Sequence, residues 1–296
     1  MDKINLFKVL KTQYYLSIDK NINNGSYSTV CHSVLKSHRK IQNKFRFFLC
    51  QSKENDEIIE NDEIIENDVI VKIVKNRYKN IFIQEIDNLL ELQNEPHIIH
   101  IFKLENKFLY DKTYFATEYC KGGDLCDYYL NTPKIFSENE VKLIATQLIL
   151  AIRECHSHRI VHGDIKLENI GLMNENDITS IKLLDFGGSI KIKNGNNICE
   201  PKNMHIHVSP PYTPPELICS YKLHEKDLIY IDFWELGIVI FVLLTKSFPY
   251  VNTESGGQIK WPNGSCKISS HMKSIVEKLL VQNPLERVNI DLTDLF

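Results

Sequence analysis

Apolar and polar positions alternate with a two-residue rhythm over much of the first third of the chain, which predicts strands. Tyr14 to Ile22 and Ser28 to Leu35 are extended-type segments around Asn23-Asn24-Gly25-Ser26, a composition that makes turns. Val69 to Val74 is a short β-branched run and reads as a central strand. The period then changes. Phe82, Ile86, Leu89 and Leu90 recur at three- and four-residue spacing, as on one face of a helix. Ile98 to Leu104 and Thr113 to Thr117 complete an expected five-stranded antiparallel sheet. The remainder reads as mostly helical. Ser137-Glu138-Asn139-Glu140 is a capping box, with Val141, Ile144, Ala145, Leu148, Ile149 and Ile152 on the apolar face of the helix it opens. Asp232 to Leu244 is apolar almost all round and should lie in the middle of its lobe. Strands first and helices after predict an α+β arrangement, with a cleft at the junction near Glu118-Tyr119-Cys120.

One stretch breaks the pattern. Asn55-Asp56-Glu57-Ile58-Ile59-Glu60 is followed at once by Asn61-Asp62-Glu63-Ile64-Ile65-Glu66. A solenoid needs about three stacked units, so this tandem repeat predicts a solvated acidic loop, part of a long insertion over 36–68.

Composition adds boundaries rather than identity. A chain of 296 residues, 43% hydrophobic and 25% charged, suits one large domain or two packed units. A net charge of −3 gives no reason to expect nucleic acid or an anionic membrane as partner. The eight cysteines are scattered without a C-x-x-C pair, which reads as reduced intracellular thiols. Met1-Asp2-Lys3-Ile4 opens no signal sequence, and Asp2 excludes N-myristoylation. Leu236 to Leu244 is too short to span a bilayer. The expectation is a soluble cytoplasmic or nuclear protein, with a monomer as the default.

Polar residues of one chemical kind then fall in a telling order. Val69-Ile70-Val71-Lys72 puts a lysine on a strand, and Glu85 follows on the next helix. His162-Gly163-Asp164-Ile165-Lys166-Leu167-Glu168-Asn169 precedes Asp185-Phe186-Gly187, then Pro214-Pro215-Glu216 and Arg287. A lone D-F-G would say little, but the ordered set is specific. In it the chain resembles the protein kinase family, from about Tyr14 to Arg287. The resemblance implies a single bilobal kinase domain over 1–296. Its small antiparallel sheet lobe, with one main helix, would take 1–117, and the hinge and larger helical lobe 118–296. It also implies transfer of the γ-phosphate of Mg·ATP to protein Ser/Thr hydroxyls, a reaction that depends on positioning and charge neutralisation.

By that resemblance Lys72 contacts the α- and β-phosphates and pairs with Glu85, with Lys75 as a rival in a less fitting context. Asp164 accepts a hydrogen bond from the acceptor hydroxyl, while Asn169 and Asp185 ligate Mg²⁺. Lys166 matches the Ser/Thr pattern and would steady the γ-phosphate, and Ser209 would bridge Asp164 and Lys166. His162 and Phe186 would be structural, Glu216 would pair with Arg287, and Asp232 would hold the catalytic loop backbone. The nucleotide would meet Asn23, Gly25 and Val30 of the glycine-rich loop, then Ile70 and Lys72. Glu118 and Cys120 would form the hinge after a gatekeeper Thr117, with Asp124 on the ribose or a substrate cation and Gly171 under the adenine.

The departures from the family pattern are informative. Of G-x-G-x-x-G-x-V only the middle glycine, Gly25, stands, flanked by Asn23 and Ser28. Asn accepts positive φ and Ser is small, so the turn stays feasible. Ile70 replaces a small alanine above the adenine and Gly171 a leucine below it, which together imply a base shifted toward the lower lobe. Gly163 replaces the arginine that receives an activation-loop phosphate, and Met204-His205-Ile206-His207 offers no hydroxyl to carry one. Activity without activation-loop phosphorylation is the expectation, with His205 and His207 in a solvated loop. Asp124 and Glu168 favour basic residues upstream of the acceptor, although Val242 stands where strongly basophilic members carry an acid. Gly122-Gly123-Asp124-Leu125 is similar to the calcium/calmodulin-dependent group, but no EF-hand pattern is present. Asp232-Phe233-Trp234-Glu235-Leu236-Gly237 resembles the family's D-x-W-S-L-G helix. The short stretch after Arg287 implies an abbreviated last helix. A second reading stays open: a pseudokinase serving as a nucleotide-binding scaffold. The degraded glycine loop, Ile70 and Gly163 favour it, and the complete set Lys72, Glu85, Asp164, Lys166, Asn169 and Asp185 opposes it.

Overall fold

The computed structural model describes residues 14–24, 28–38, 64–75, 79–102, 108–109, 112–133, 135–193, 197–201, 204, 209–219, 221–252, 258–263 and 267–287. The chain forms two compact units, one of residues 1–83 and 100–119, the other of 84–99 and 120–296. The division falls within helix α1 (Lys79–Glu91) and again at 119/120.

The first unit is built on an antiparallel sheet of six strands, one more than the alternation of the sequence suggests. They are β1 (Tyr14–Asn24), β2 (Ser28–His38), β3 (Ile64–Lys75), β4 (Ile101–Phe102), β5 (Phe108–Leu109) and β6 (Lys112–Glu118). Their order is β1-β2-β3-β6-β4, with β5 also on β6. Of the strand expected over 98–104, Ile101 and Phe102 form β4, and residues 103–104 lie outside the described residues. Ile98 instead belongs to the second unit, where it bridges to Leu183.

The β2–β3 ladder corrects the expected insertion. It runs from Ser28↔Val74 to His38↔Ile64, so Lys36 to His38 and Ile64 to Asp68 are paired strand rather than loop. The first hexad and residues 39–63 lie outside the described residues. The β-branched Ile64 and Ile65 can enter a ladder, and the charged neighbours Glu66 and Asp68 suit an edge that β6 does not reach, since β6 pairs with β3 only from Val69 onward.

Within β3 the two-residue period sorts the side chains. Val69 and Val71 are buried with Tyr114 and Ala116, and Ile73 and Phe102 pack against them. On the alternate positions Lys72 pairs across the sheet with Val30 and Phe115, and Ile70 with His32 and Thr117. Phe82 of α1 covers that face, with its ring centroid 5.4 Å from that of Phe115.

The second unit is helical around small hairpins. Its helices are α2 (Leu125–Asn131), α3 (Glu138–Ser157), α4 (Pro215–Ile218), α5 (Tyr230–Thr245) and α6 (Ser270–Leu279). β7 (Ile160–Val161) pairs with β10 (Ile190–Lys191), and β8 (Ile170–Leu172) with β9 (Ile181–Leu183). β11 (Ile198–Cys199) pairs with β12 (Leu223–His224), and β13 (Tyr250–Asn252) with β14 (Gln258–Lys260). The capping box of α3 forms as the sequence predicts: the Glu140 N–H donates to Ser137 Oγ, and the Ser137 N–H donates to Glu140 Oε2 at 2.8 Å. All six predicted apolar residues of α3 are buried, each contributing about 1.5–3 kcal/mol in the case of the larger aliphatics.

Every residue of α5 from Ile231 to Leu244 is buried. The helical stretch Glu225–Thr245 contains a window of mean hydropathy 2.0 and is long and apolar enough to cross a membrane, but 83% of that window is buried inside the protein, as in a core helix. Gly237 permits the close crossing of α6. A Cβ there would stand 2.9 Å from Leu279 Cβ and 2.8 Å from Leu280 Cδ2.

Candidate active site

The loop between β7 and β8 has no sheet ladder to shape it, so side chains from distant elements take its backbone amides. The N–H groups of His162 and Gly163 donate to Asp232 Oδ2 and Oδ1 at 3.0 and 2.8 Å. The Asp164 N–H donates to His162 Nδ1 at 3.3 Å, and the Ile165 N–H to Glu235 Oε2 at 2.7 Å. His162 Nε2 lies 2.9 Å from the Leu184 carbonyl oxygen, and its ring meets Phe186 edge-on at 4.8 Å. The imidazole therefore fastens the loop to the strand end that precedes Asp185, as expected of a structural residue. His156 closes the arrangement, 2.8 Å from Asp232 Oδ2.

Gly163 has φ +73°, a left-handed conformation that glycine adopts without the steric cost an arginine side chain would bring. The glycine found in place of the family's arginine thus matches the backbone that the two Asp232 bonds impose.

On this frame the chemistry-bearing groups converge. Lys166 Nζ donates to Asp164 Oδ2 and to Ser209 Oγ, both at 2.7 Å. Asn169 Nδ2 donates to the Asp164 carbonyl at 2.8 Å and to Asp164 Oδ2 at 3.0 Å. Asp164 Oδ1 is buried and makes no hydrogen bond among the described residues. Asp185 sits at φ +52°, ψ +83°, with its carboxylate accepting from the Gly187 N–H at 3.3 Å. A non-glycine residue held there costs of order 1–3 kcal/mol and points to a functional constraint.

The other expected residues fall on both units. Asn23, Val30, Ile70 and Lys72 lie on β1, β2 and β3 of the first unit, and Lys72 Nζ is 5.1 Å above the Phe82 ring. Gly25 and residues 205–208 lie outside the described residues. Glu118 ends β6, where its carboxylate accepts from the His100 N–H at 3.1 Å. Glu85 is buried on the part of α1 that belongs to the second unit. Asp124 caps α2 by accepting from the Asp127 N–H at 2.8 Å. Glu216 and Arg287 form the expected buried pair, at 2.7 and 3.0 Å, with Arg287 also donating to the Val281 carbonyl.

Gly171 departs from expectation. The space beside it is filled: a Cβ would lie 2.5 Å from Cys120 Sγ and 3.0 Å from Leu184 Cδ1. The bulk that the glycine removes is supplied by Cys120 and Leu184, so the adenine shift loses half of its support.

Two features escape sequence reasoning. Asn88 Nδ2 donates to Ser189 Oγ at 2.8 Å and Gln84 Nε2 to the Ser189 carbonyl at 3.1 Å, joining the Glu85 face of α1 to the segment after Asp185-Phe186-Gly187. Their only signal was the four-residue spacing of two amides on one helix. The second is Glu235, discussed below.

Charge gathers beside this loop. Burial, followed by Glu168, Asp124 and Asp127, pushes the Cys126 thiol up to about 11. Burial also raises Asp124, against the amides of Asp127 and Cys126 that favour its charged form.

A family model described as protein kinase domain matches residues 49–293, and with the site above, the chain belongs to the protein kinase family. Among curated relatives, serine/threonine-protein kinase SIK2 of Gallus gallus is 32% identical over 211 residues, covering 68% of this chain and 24% of its own length. Calcium-dependent protein kinase 6 of Plasmodium berghei is 34% identical over 182 residues, 61% of this chain and 11% of its own. Probable serine/threonine-protein kinase MARK-C of Dictyostelium discoideum is 30% identical over 233 residues, 74% of this chain and 28% of its own. The match thus spans less than a third of the length of each of these relatives.

Proposed function

We propose that the chain is a serine/threonine protein kinase, transferring the γ-phosphate of Mg·ATP to Ser or Thr hydroxyls of protein substrates. The observation that carries this is Asp164. Lys166 and Asn169 hold one of its oxygens, which leaves the buried Oδ1 to accept the hydrogen bond of an incoming hydroxyl. Lys166, shared between Asp164 and Ser209, would offset charge on the transferring phosphoryl group. The Lys166–Ser209 contact and the relatives' names favour Ser/Thr acceptors.

The donor set suits Mg²⁺. Both hydrogen bonds of Asn169 use Nδ2, so Oδ1 is the oxygen left for a hard cation, and Asp185 would supply the carboxylate. Among the described residues no group of three or more His, Cys, Asp or Glu is placed to hold a metal. Mg²⁺ commonly takes one or two protein oxygens and completes its shell with water and phosphate. Bound there, it would neutralise phosphate charge. Lys72 would hold the α- and β-phosphates. Asn23, Gly25, Val30, Ile70, Glu118, Cys120, Asp124 and Gly171 would line the nucleotide.

Activity without activation-loop phosphorylation is part of the reading. Gly163 offers no cationic side chain to a phosphate, and two sets of contacts hold described parts of the segment. Asn88 and Gln84 grip Ser189, and the β11–β12 pairing is continued by the Glu225 N–H donating to the Asn197 carbonyl at 2.9 Å. The Asp124, Asp127 and Glu168 carboxylates favour basic residues upstream of the acceptor, in an intracellular substrate. The test is Mg²⁺-dependent transfer of labelled γ-phosphate to a degenerate Ser/Thr peptide set by unphosphorylated protein, with Lys72→Met and Asp164→Asn as controls. Transfer by wild type alone is expected. Its absence in wild type would favour a nucleotide-binding scaffold.

A further inference from the structure

Asp232 and Glu235 stand one helical turn apart on α5, both buried, and both take backbone amides of the same loop. Asp232 holds the amides of residues 162 and 163, ahead of the catalytic carboxylate, and Glu235 holds that of residue 165, just behind it. The family pattern has serine at position 235, where the chain has Glu. A serine hydroxyl ends one bond beyond Cβ, whereas the glutamate oxygen lies three bonds beyond it and spans the gap to the Ile165 amide at 2.7 Å.

We propose that Glu235 is a positioning residue for Asp164: together with Asp232 it clamps the backbone on both sides of the catalytic carboxylate, fixing Asp164 and Lys166 relative to one another. The proposal rests on the kinase reading above. Its second half, the grip on Ile165, can be measured without turnover.

The charges around Glu235 decide which substitution preserves the clamp. Burial first, and then the charge of Asp232, hold its carboxyl well above the usual carboxylate range, and Asp164 and Glu216 act in the same direction. The Ile165 amide opposes them only in part. The basic side chains nearby are engaged by those other acids: the Lys166 and Arg287 cations by Asp164 and Glu216, and the His156 ring by Asp232. The contact itself is geometric: Glu235 Oε2 accepts the Ile165 N–H at 2.7 Å. Glutamine reproduces the shape and the oxygen acceptor, methionine keeps the volume alone, and serine keeps neither reach nor volume.

The experiment compares wild type with Glu235→Gln, Glu235→Ser and Glu235→Met in steady-state transfer from Mg·ATP to a peptide, alongside hydrogen exchange of the loop amides and thermal unfolding. Glu235→Gln should keep kcat within about twofold at pH 7, whereas Ser and Met should lose about tenfold to a hundredfold in kcat with both KM values nearly unchanged. The Ile165 amide should exchange about tenfold faster or more in Ser and Met, with the Gly163 amide still protected. Wild-type kcat and Ile165 protection in folded Glu235→Met would overturn the proposal. If wild type itself transfers no phosphate, the kinase reading falls alone, and Ile165 exchange still decides whether Glu235 holds the loop.

Discussion

The sheet of the first unit and the catalytic loop of the second both present residues expected to handle phosphate, yet they are held in opposite ways. Val30, Ile70 and Lys72 ride on strands held to their neighbours backbone to backbone. His162 to Ile165 have no such ladder, and their amides depend on Asp232, Glu235 and the His162 ring. A ladder tolerates exchange of side chains, as at Asn23, Ser28 and Ile70. A loop held by side chains tolerates it only where a change is matched locally, as Gly163 is by its positive φ.

Substitutions can break that contrast. The largest effect belongs to Asp164→Asn, which keeps the size of the side chain but loses its charge: kcat should fall by about 10²–10⁴ with the melting curve little changed. Next is Glu216→Gln, which leaves the fully buried Arg287 guanidinium without its countercharge. Loss of one partner of such a pair costs about 3–5 kcal/mol, and denaturant unfolding would read it. Gly237→Ala should cost about 1–3 kcal/mol by forcing α5 and α6 apart at Leu279 and Leu280, despite alanine's better helix propensity. Glu235→Gln tests the loop by pH. The native carboxyl holds its proton above the usual range, so the unfolded chain releases protons first and wild-type stability falls as pH rises past about 4.5. The glutamine variant lacks this slope, so its Tm relative to wild type should rise as pH increases above about 4.5. Smallest is Ile70→Ala on the sheet, where the ladder remains: KM for ATP should move by about tenfold or less and kcat hardly at all. A large kcat loss at Ile70 would erase the contrast between the two regions.

Much of this was legible beforehand where the signal is local. The capping box at Ser137, the apolar face of α3 and the all-round apolar α5 follow from residue spacing over a few turns, and they formed as read. The order of Lys72, Asp164, Asn169, Asp185, Glu216 and Arg287 carried the family. Strand limits were less legible. The acidic repeat resembled a loop by composition, yet its last residues pair with Lys36 to His38, because pairing depends on the partner strand as much as on the segment itself.

The sequence by itself thus determined the element types, the family and the set of groups that the proposed phosphoryl transfer would use, since each rests on short-range periodicity or motif order. Only the tertiary structure decided what fills the space at Gly171, why glycine suits position 163, and that Glu235 reaches the loop beside Asp164. Those facts depend on chain segments about fifty to seventy residues apart meeting at hydrogen-bond or van der Waals distance, a relation that no local pattern encodes.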